Sequence, residues 1–486
     1  MSPLRRYFQL VTVIAAISAL YLYKLNGVGV LGPDEPRYAA IGRSMAHSGD
    51  LITPNLWSTA WFEKPPLLYW MTALGAAAGL GPELSGRLPV ALLSLSFLAV
   101  SFVLLKREFG LEASASATAL LATSAGWIAF SSLCLTDLPL ACFFSLAVFL
   151  SLPVLRKQAD ISRLTERFAG IGACMGLAVL AKGLVPIALA LPLFWFLRRF
   201  LRKWWISLGV ATAVAAPWYV AVYLRNGYPF IQEFFFKHHF ERLYSASLQH
   251  VQPWYYYFPV LLAGIFPWTP LLGILFLRDT VWDERRRCLA AIVLFGLLVF
   301  SSSLNKLPGY LLPLLPSLFA MFGSQLESKR VTEFSRLWLI PCALLAACIP
   351  LLAKLLPFSL AQGRFSIPTL TTVSLTGLFY ISTPIAAVVL AKRSWAAPLL
   401  VLCIVAGGFY LKITSEPILD REVSARSLWR DVKSESARLC DAGVNRDWLY
   451  GISFYRGALL PPCTADNADL MLRSERHGRP VLSRAK

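Results

Sequence analysis

Residues 88–105 read LPVALLSLSFLAVSFVLL, eighteen consecutive residues without a charged side chain. An α-helix of this length crosses the hydrocarbon core of a bilayer. Comparable apolar runs recur along most of the 486-residue chain, which is 57% hydrophobic and only 15% charged. Ordinary soluble domains are less apolar and carry more charge. The sequence therefore predicts an all-α polytopic membrane protein.

Hydropathy predicts about thirteen membrane spans. They are expected near residues 8–28, 86–105, 112–133, 138–155, 168–181, 184–197, 205–224, 258–277, 288–303, 309–323, 337–353, 368–390 and 396–411. The two short spans within 168–197 can also be drawn differently. The N-terminal stretch has no small-residue cleavage site before the first polar loop, so we interpret it as a retained helix rather than a signal peptide.

The formal net charge of +19 would suggest nucleic-acid binding in a soluble protein. Here the basic residues form seven short clusters, all on one side of the predicted spans, which indicates topology instead. The clusters are Arg5-Arg6, Lys106-Arg107, Arg156-Lys157 with Arg163 and Arg167, Arg198-Arg199 with Arg202-Lys203, Arg278 with Arg285-Arg286-Arg287, Lys329-Arg330, and Lys392-Arg393. We therefore expect a cytoplasmic N-terminus, an external C-terminus and no nucleic-acid partner.

This orientation places four loops on the outer side, at residues 29–85, 134–139, 225–257 and 303–310. It also divides the chain into a membrane domain, residues 1–411, and a tail, residues 412–486, of mixed polar and apolar character. The tail is too short for a large core, so we expect a small α/β region on the outer face. It contains Cys440 and Cys463, which are candidates for a disulfide if the tail faces an oxidising compartment.

The first outer loop contains Asp34, followed by Glu35, Pro36 and a helical pattern. Asp34 suits the N-cap of that helix, and the same carboxylate at a membrane face can also accept a proton. Arg37 lies on the same helix, where contact with lipid headgroups is the simplest interpretation.

Glu63 and Lys64 follow in the stretch WFEKPPLLYW, residues 61–70. A helix beginning at the double proline would carry Tyr69 in the interface and keep both charges near water at its N-terminal end. That position suits anion binding. The alternative is a simple salt bridge between the two neighbours.

Single polar residues mark other predicted span ends. Asp137 lies where the third span ends, and it too suits a helix cap. Lys182 lies in an otherwise apolar hairpin, where a lysine is a functional candidate unless it reaches the surface. Lys306 and Tyr310 lie at another helix entry on the outer side, where a cation could hold a phosphate.

The outer loop at 225–257 contains three of the five histidines. A histidine there, together with a carboxylate such as Glu63, could bind zinc or another divalent ion. The spacing is not that of a metal motif, and interfacial histidines among aromatic residues explain the pattern equally well.

Carboxylates, cations and histidines thus collect on one face of the predicted bundle, whereas the other face carries mainly basic clusters. This distribution favours an enzyme that works at the outer interface. A secondary transporter would show broken helices in corresponding halves and polar groups near the bilayer midplane.

At these residues the sequence resembles bacterial lipid A aminoarabinose transferases and their protein O-mannosyltransferase relatives. The motifs are DEPRYAAIGRSMAHSGDLITP, FEKPPLLYW, SGRLPVAL, LTDLPL, AKGLVP, PWYVAVYLRNG, FFFKHHFERL, QHVQPWYYYFPVLLAGIFPW and NKLPGYLLPLLP. They occur in family order between about residues 31 and 316, and the paired first-loop motifs are the most specific. The resemblance implies a C-type membrane glycosyltransferase fold and inverting transfer of a sugar from a polyprenyl phosphate.

The resemblance also implies roles for individual residues. Asp34 matches the catalytic aspartate, and Asp137 lies in a further matching motif that we count with the catalytic set. Glu63 and His239 match positions linked to a divalent metal, zinc in the aminoarabinose enzymes. The remaining candidates for binding substrate or phosphate are Arg37, Lys64, Tyr69, Lys182, Arg242, Lys306 and Tyr310.

We therefore expect a monomeric enzyme of the bacterial inner membrane, with its C-terminus in the periplasm. Its expected partners are membrane lipids, a polyprenyl-phosphate-linked sugar donor and an acceptor such as lipid A, another envelope glycolipid or a protein. The alternatives are a protein O-mannosyltransferase and, in a different class, a flippase for lipid-linked sugars.

Overall fold

The computed structural model describes residues 3–156, 163–241, 251–277, 282–326, 335–362, 375–464, 470–474 and 479–484. Up to residue 241, the elements are α1 (Pro3–Leu22), α2 (Asp34–Ser48), β1 (Asn55–Leu56), β2 (Thr59–Ala60), α3 (Leu67–Ala77), α4 (Leu84–Phe109), α5 (Leu111–Ala122), α6 (Ala125–Ser131), α7 (Asp137–Ser151), α8 (Leu164–Lys182), α9 (Val185–Leu189), α10 (Leu191–Phe196), α11 (Leu201–Asn226), α12 (Tyr228–Ile231) and a π-helix (Gln232–Glu241).

The second half of the membrane part continues with α13 (Tyr257–Gly264), α14 (Glu284–Ser302), α15 (Leu315–Leu326), α16 (Ser335–Ala346), α17 (Ile349–Gln362), α18 (Leu375–Val389) and α19 (Arg393–Glu422). Short 3-10 helices cover Leu152–Leu155, Arg198–Phe200, Trp254–Tyr256, Thr269–Phe276, Pro308–Leu314 and Lys433–Glu435. The predicted all-α polytopic architecture is confirmed.

The predicted spans all overlap helical structure, but not all are straight. Among the described residues, six helices are long and apolar enough to cross a membrane, or up to nine if each of three bent pairs counts as one span. The segment predicted at 112–133 is bent by 64° between α5 and α6, and the segment at 258–277 is bent by 106°. The segment at 184–197 is divided between α9 and α10.

Side-chain chemistry explains two of these breaks. Between α5 and α6, the Thr123 hydroxyl donates to the carbonyl of Ala119 at 2.6 Å, and the Ser124 hydroxyl donates to that of Leu121 at 2.8 Å. These bonds satisfy carbonyls at the point where the helical ladder stops. The segment at 258–277 contains Pro267, which has no amide hydrogen to continue a helix. Hydropathy counts apolar residues and therefore misses both bends.

Close helix packing holds α8 against its neighbour α11. The backbone of Ser207 approaches Gly172 so closely that a Cβ there would lie 2.4 Å from the Ser207 carbonyl oxygen. The Ser207 hydroxyl donates to the carbonyl of Phe168 at 2.6 Å. Small residues at such contacts let membrane helices approach and bond directly.

Three of the predicted basic clusters meet at one end of the bundle. Glu108 pairs with Arg156 at 2.9 Å and with Arg285 at 3.4 Å. In addition, Arg199 lies 3.8 Å from Glu284. Residues from these clusters therefore lie on the same face, as the positive-inside pattern predicted. Which face is cytoplasmic stays a prediction.

The opposite end of the bundle is organised by a buried ion pair between Glu35 at the start of α2 and Arg87 in α4. The Glu35 carboxylate accepts from Arg87 Nε and Nη2, both at 2.7 Å, and from the backbone amides of Leu31 and Cys134. Arg87 also donates to three carbonyl oxygens of the first loop, those of Leu25, Val28 and Gly29. The side chains of Glu35 and Arg87 are only 1% and 3% exposed. One pair thus joins α2, α4, the first loop and the loop before α7.

The tail forms a small α/β unit, as predicted. It consists of α20 (Ala425–Val432), β3 (Leu439–Asp441), α21 (Arg446–Arg456), β4 (Leu470–Arg473) and β5 (Val481–Arg484). The sheet order is β3-β4-β5, with β3 parallel to β4 and β5 antiparallel to it. The tail has its own apolar core. However, α19 continues to Glu422, so these elements begin some residues after the predicted boundary at 412.

The tail is docked on the segment between α1 and α2 and on Glu83 before α4. Arg426 donates to the carbonyls of Asn26 and Gly27, at 2.8 and 2.7 Å. The Tyr455 hydroxyl donates to Glu83 at 2.8 Å and accepts from the amide of Val30 at 3.1 Å. Hydrogen bonds from two elements of the tail therefore position it over the loop that contains Asp34.

The Glu35–Arg87 pair yields a test of stability. Glu35→Gln keeps the side-chain volume but leaves Arg87 buried without its counter-charge, which typically costs about 3–5 kcal/mol. We expect a clearly lower apparent unfolding temperature in detergent. Arg225→Gln is the control, because Arg225 pairs with Asp50 near the surface, with side-chain exposures of 51% and 27%, and such pairs contribute about 1 kcal/mol or less. Equal effects of the two substitutions would contradict the central role of Glu35.

A second test concerns the tail, where Cys440 and Cys463 form a disulfide across a sequence separation of 23. Closing a loop of this size stabilises a fold by about 3 kcal/mol on the chain-entropy model. We expect non-reduced peptide mapping to recover the linked pair, and Cys440→Ser/Cys463→Ser to make the tail more sensitive to protease. Cys348→Ser, which removes an exposed free thiol, serves as the control. Two free thiols in exported protein would contradict the bond.

Candidate functional site

Asp34 and Arg37 lie on the first turn of α2 and face the same side. The Arg37 guanidinium donates to the Asp34 carboxylate, to Glu63 at 2.6 Å and to the carbonyl of Pro33 at 3.0 Å. The N-cap position of α2 is occupied by Pro33, so the expectation that Asp34 caps this helix is wrong. The carboxylate of Asp34 instead accepts a hydrogen bond from Arg37. Arg37 is buried, so it does not make the headgroup contact considered from the sequence.

Glu63 and Lys64 approach this arginine from the segment between the β1-β2 hairpin and α3. Lys64 Nζ lies 3.2 Å from Glu63 Oε1, while Glu63 Oε2 accepts from Arg37. The salt bridge considered as the alternative is therefore present. Both residues are buried, so the expectation that they stay near water is wrong. Their burial is tolerated because each charge lies beside an opposite charge.

These four residues form what we call the first-loop cluster: Asp34, Arg37, Glu63 and Lys64. Burial acts to lower the pKa of Arg37, but the negative charge of Glu63, with Asp34, outweighs it, so the net shift of the pKa is upward. Arg37 therefore keeps its charge and can bridge both carboxylates. The Asp34 side chain is 34% exposed, against 5% for Arg37 and 8% for Glu63. Asp34 is thus the accessible carboxylate of the cluster.

Aromatic side chains enclose Arg37. Its guanidinium carbon lies 5.4 Å from the ring of Trp61, 5.4 Å from that of Tyr450 and 5.8 Å from that of Tyr38. Burial and the charges of Asp34 and Glu63 hold the pKa of Tyr38 well above its ordinary value, so this phenol stays neutral.

Three buried hydrogen-bond donors lie in the same region. Within the described part of the chain, Trp57 Nε1, Trp61 Nε1 and the Tyr69 hydroxyl have no hydrogen-bond partner. Buried polar groups are normally satisfied. These donors can therefore serve a ligand that is rich in oxygen acceptors.

A second ion pair joins the ends of two membrane helices. Lys182, the last residue of α8, lies 2.6 Å from Asp137, the first residue of α7. The lysine also lies 4.6 Å from the ring centroid of Tyr310. A Cβ at Gly309 would lie 2.6 Å from Asp137 Oδ1, so glycine permits this close approach. The structure thus brings together Asp137, Lys182 and Tyr310, which the sequence presented separately.

Lys306 has a different environment. Its ammonium donates to the carbonyls of Ser303 and Gln252, the latter at 3.0 Å. Burial lowers its pKa. These contacts of Lys306 therefore tie the segment at Gln252 to the segment at Ser303, and its predicted contact with phosphate stays a prediction.

The predicted metal set falls partly outside the described structure. The side chain of His239 and all of Arg242 lie outside the described residues. Among the residues that are described, no group of three or more His, Cys, Asp or Glu is arranged to hold a metal ion. Both oxygens of Glu63 take part in ion pairs. Zinc binding at Glu63 and His239 therefore stays a prediction.

Sequence reasoning missed several residues of this region. Arg87 carried a usable signal, since a charge within an apolar helix is costly and needs a partner. Trp57 and Trp61 were hidden among many aromatic residues. Tyr450 lies far from the first loop in sequence, and no local pattern pointed to its contact with Arg37.

The first half of the chain resembles a known family. Residues 7–244 match the family model of dolichyl-phosphate-mannose-protein mannosyltransferases. The undecaprenyl phosphate-alpha-4-amino-4-deoxy-L-arabinose arabinosyl transferase 2 of Pseudomonas fluorescens is 32% identical over 68% of this chain. The chain spans 58% of the length of that relative.

A solved structure extends the likeness to the fold. The structure of ArnT from Cupriavidus metallidurans bound to undecaprenyl phosphate has a TM-score of 0.78, with 22% identity, covering 96% of this chain and 92% of that one. This likeness confirms the C-type glycosyltransferase fold of a multi-pass membrane protein.

A longer sequence match defines the family. The arabinosyl transferase of the same type from Pseudomonas paraeruginosa is 32% identical over 408 residues, which cover 80% of this chain and 73% of that protein. The chain therefore belongs to the family of the undecaprenyl phosphate-aminoarabinose arabinosyl transferases.

Proposed function

We propose that this protein is an inverting glycosyltransferase of the bacterial inner membrane. It transfers an aminopentose from undecaprenyl phosphate to lipid A, or to a related envelope glycolipid, at the periplasmic face. The names of its relatives, which are undecaprenyl phosphate-aminoarabinose arabinosyl transferases, support undecaprenyl phosphate as the carrier and an aminopentose as the sugar. The acceptor is supported by the resemblance of the first-loop motifs to lipid A aminoarabinose transferases.

The observation that carries the proposal is the first-loop cluster. Buried Arg37 links the carboxylates of Asp34 and Glu63, and only Asp34 extends substantially to solvent. A carboxylate held in this way is preorganised, because its partner cannot move without breaking a second ion pair. Preorganised charges at a reacting centre are among the largest sources of catalysis.

The transfer requires a cation near the leaving phosphate. The bond between the anomeric carbon and the phosphate oxygen breaks, and the bond to the acceptor oxygen forms on the opposite face. Negative charge grows on the departing undecaprenyl phosphate, and a positioned cation stabilises it. We assign this task to Lys64, with Lys182 and Tyr310 as further contacts for the donor.

The acceptor also needs a group that takes up its proton or orients it. If the nucleophile is a hydroxyl, its proton passes to Asp34; if it is a phosphate oxygen of the acceptor, Asp34 orients the group. Asp137 has a supporting role, since it holds the Lys182 ammonium at 2.6 Å. A metal bound at Glu63 and His239 would add positive charge beside the leaving phosphate.

The unpaired donors favour an oxygen-rich substrate. Trp57, Trp61 and Tyr69 have buried donor groups without a partner among the described residues. Sugar hydroxyls and phosphate oxygens are suitable acceptors for them. The aromatic rings add apolar surface, as is usual in ligand sites with a few polar groups.

A second candidate function is protein O-mannosylation. It is favoured by the family model that matches residues 7–244. The two functions both use a polyprenyl phosphate carrier and differ in sugar and acceptor, so one assay with several donors and acceptors separates them.

Purified protein should be tested with a panel of labelled undecaprenyl-phosphate sugars, with release of undecaprenyl phosphate and labelling of lipid A or peptide as the readouts. We expect transfer by the wild type and a loss of at least about 100-fold in Asp34→Asn, since general acid–base catalysis contributes about 10²–10⁴-fold. The amide keeps the shape of the side chain but cannot accept the proton.

Asp50→Asn is the matched control, because Asp50 lies in the same outer loop and pairs with Arg225 rather than with the cluster. Equal activity of wild type and Asp34→Asn with every active donor would remove the catalytic assignment. Label that changes leaflet without being transferred would instead identify a flippase.

The metal proposal needs its own test. We expect zinc in the purified wild type and a lower zinc content in Glu63→Ala and His239→Ala, measured by elemental analysis, because each substitution removes a ligand. His47→Ala is the control, since His47 lies at the far end of α2 and bonds to the Arg43 carbonyl. Unchanged zinc content in both ligand variants would remove the site.

A further inference from the structure

We propose that Tyr450 of the tail positions Arg37 and thereby completes the first-loop cluster. Tyr450 is a positioning residue in this proposal: it acts through Arg37 and does not itself touch the reacting atoms. The inference rests on the proposed function, because it assigns the tail a part in that same reaction.

The contacts of Tyr450 join two regions that are distant in sequence. Its ring centroid lies 5.4 Å from the Arg37 guanidinium carbon and 5.6 Å from the ring of Trp57. The Arg446 guanidinium carbon, on the same helix α21, lies 5.6 Å from the Tyr450 ring. The tyrosine thus bridges the tail to both the cluster and the β1-β2 hairpin.

The hairpin has an unusual backbone at this contact. Trp57 has a φ of 49° and Ser58 a φ of 71°, in the left-handed region that bulky L-residues seldom adopt. Both residues are the central positions of a two-residue hairpin loop, and a type I′ loop requires positive φ at both. The turn holds Trp57 against Tyr450, which connects the hairpin to the tail.

The position of Tyr450 is set by the docking of α21. Trp448 and Ile452 bury one face of this helix in the core of the tail. Near its other end, the Tyr455 hydroxyl bonds to Glu83 and Val30, and Phe454 packs on the Arg43 guanidinium at 4.9 Å. Tyr450 lies between these anchors, so it cannot drift away from α2 without disturbing the docked helix.

This contact bears on catalysis because Arg37 has to hold two carboxylates in one geometry. A guanidinium is planar, and an aromatic ring over its face fixes that plane through the cation–π attraction. Trp61 packs on Arg37 as well, but Trp61 belongs to the first loop itself. Tyr450 makes the geometry of Arg37, and hence of Asp34, dependent on the tail.

The alternative is that Tyr450 only stabilises the tail. Three variants separate the two roles. Tyr450→Phe keeps the ring and removes the hydroxyl, and Tyr450→Ala removes both. Leu472→Ala weakens the core of the same tail away from α21, since Leu472 lies on β4 and is fully buried in that core.

The first readout is steady-state transfer, measured below the unfolding temperature of every variant. We expect Tyr450→Ala to lower kcat about tenfold, with a smaller effect on the donor KM. The substitution would misplace Asp34, which acts in the transition state rather than in binding of the donor. Tyr450→Phe should keep wild-type kcat, and Leu472→Ala should keep kcat although it lowers the unfolding temperature. The proposal fails if Tyr450→Ala matches the wild type, or if Leu472→Ala loses as much kcat as Tyr450→Ala.

The second readout does not depend on activity. Modification of Arg37 by phenylglyoxal, followed by peptide mass spectrometry, reports whether its guanidinium stays covered. We expect slow modification in the wild type and Tyr450→Phe, and at least severalfold faster modification in Tyr450→Ala. If the wild type transfers no sugar, the proposed function fails, while this readout still decides the positioning role: equal modification rates in all variants would overturn it.

Discussion

The buried ion pair between Glu35 and Arg87 is the interaction on which the end of the bundle that carries Asp34 depends. Each group is taken out of water, so its charge has to be compensated within the protein. The carboxylate and the guanidinium bond to each other, and the remaining positions are satisfied by backbone groups of the first loop and of the segment before α7. Glu35 adjoins Asp34 at the start of α2. The pair therefore sets the point from which Asp34 and Arg37 extend.

The same rule of charge compensation governs the rest of this face. Arg37 holds two carboxylates, Lys182 pairs with Asp137, and the Lys306 ammonium is satisfied by carbonyl oxygens. Charges so arranged are stable in an apolar surrounding and are also preorganised for chemistry. A fold-stabilising pair and the proposed reaction centre thus adjoin each other in sequence and in space, and Tyr450 of the tail packs on Arg37.

Much of this organisation was predictable, and the reasons differ from residue to residue. The spans followed from apolar runs, and the clustering of Arg156 and Arg285 at one end followed from topology. Glu63 stood out in the sequence as a charge in an apolar stretch, but its burial was not predictable, because the compensating Arg37 lies 26 positions away in the chain. The bends near Ser124 and Pro267 escaped hydropathy, which averages over the side chains that cause them.

By itself, the sequence determined that the chain is an apolar multi-pass helical protein, that its unusual charges gather in the loops of one face, and that a small disulfide-capable tail follows. These properties depend on composition and on periodicity within short windows. Only the tertiary structure decided which charges pair, and that Tyr450 packs on Arg37. Some of these contacts join residues 26 or 52 positions apart, as in Arg37–Glu63 and Glu35–Arg87, and the contact of Tyr450 joins the tail to the first loop. Their distances depend on helix packing and on tail docking, which no local pattern encodes.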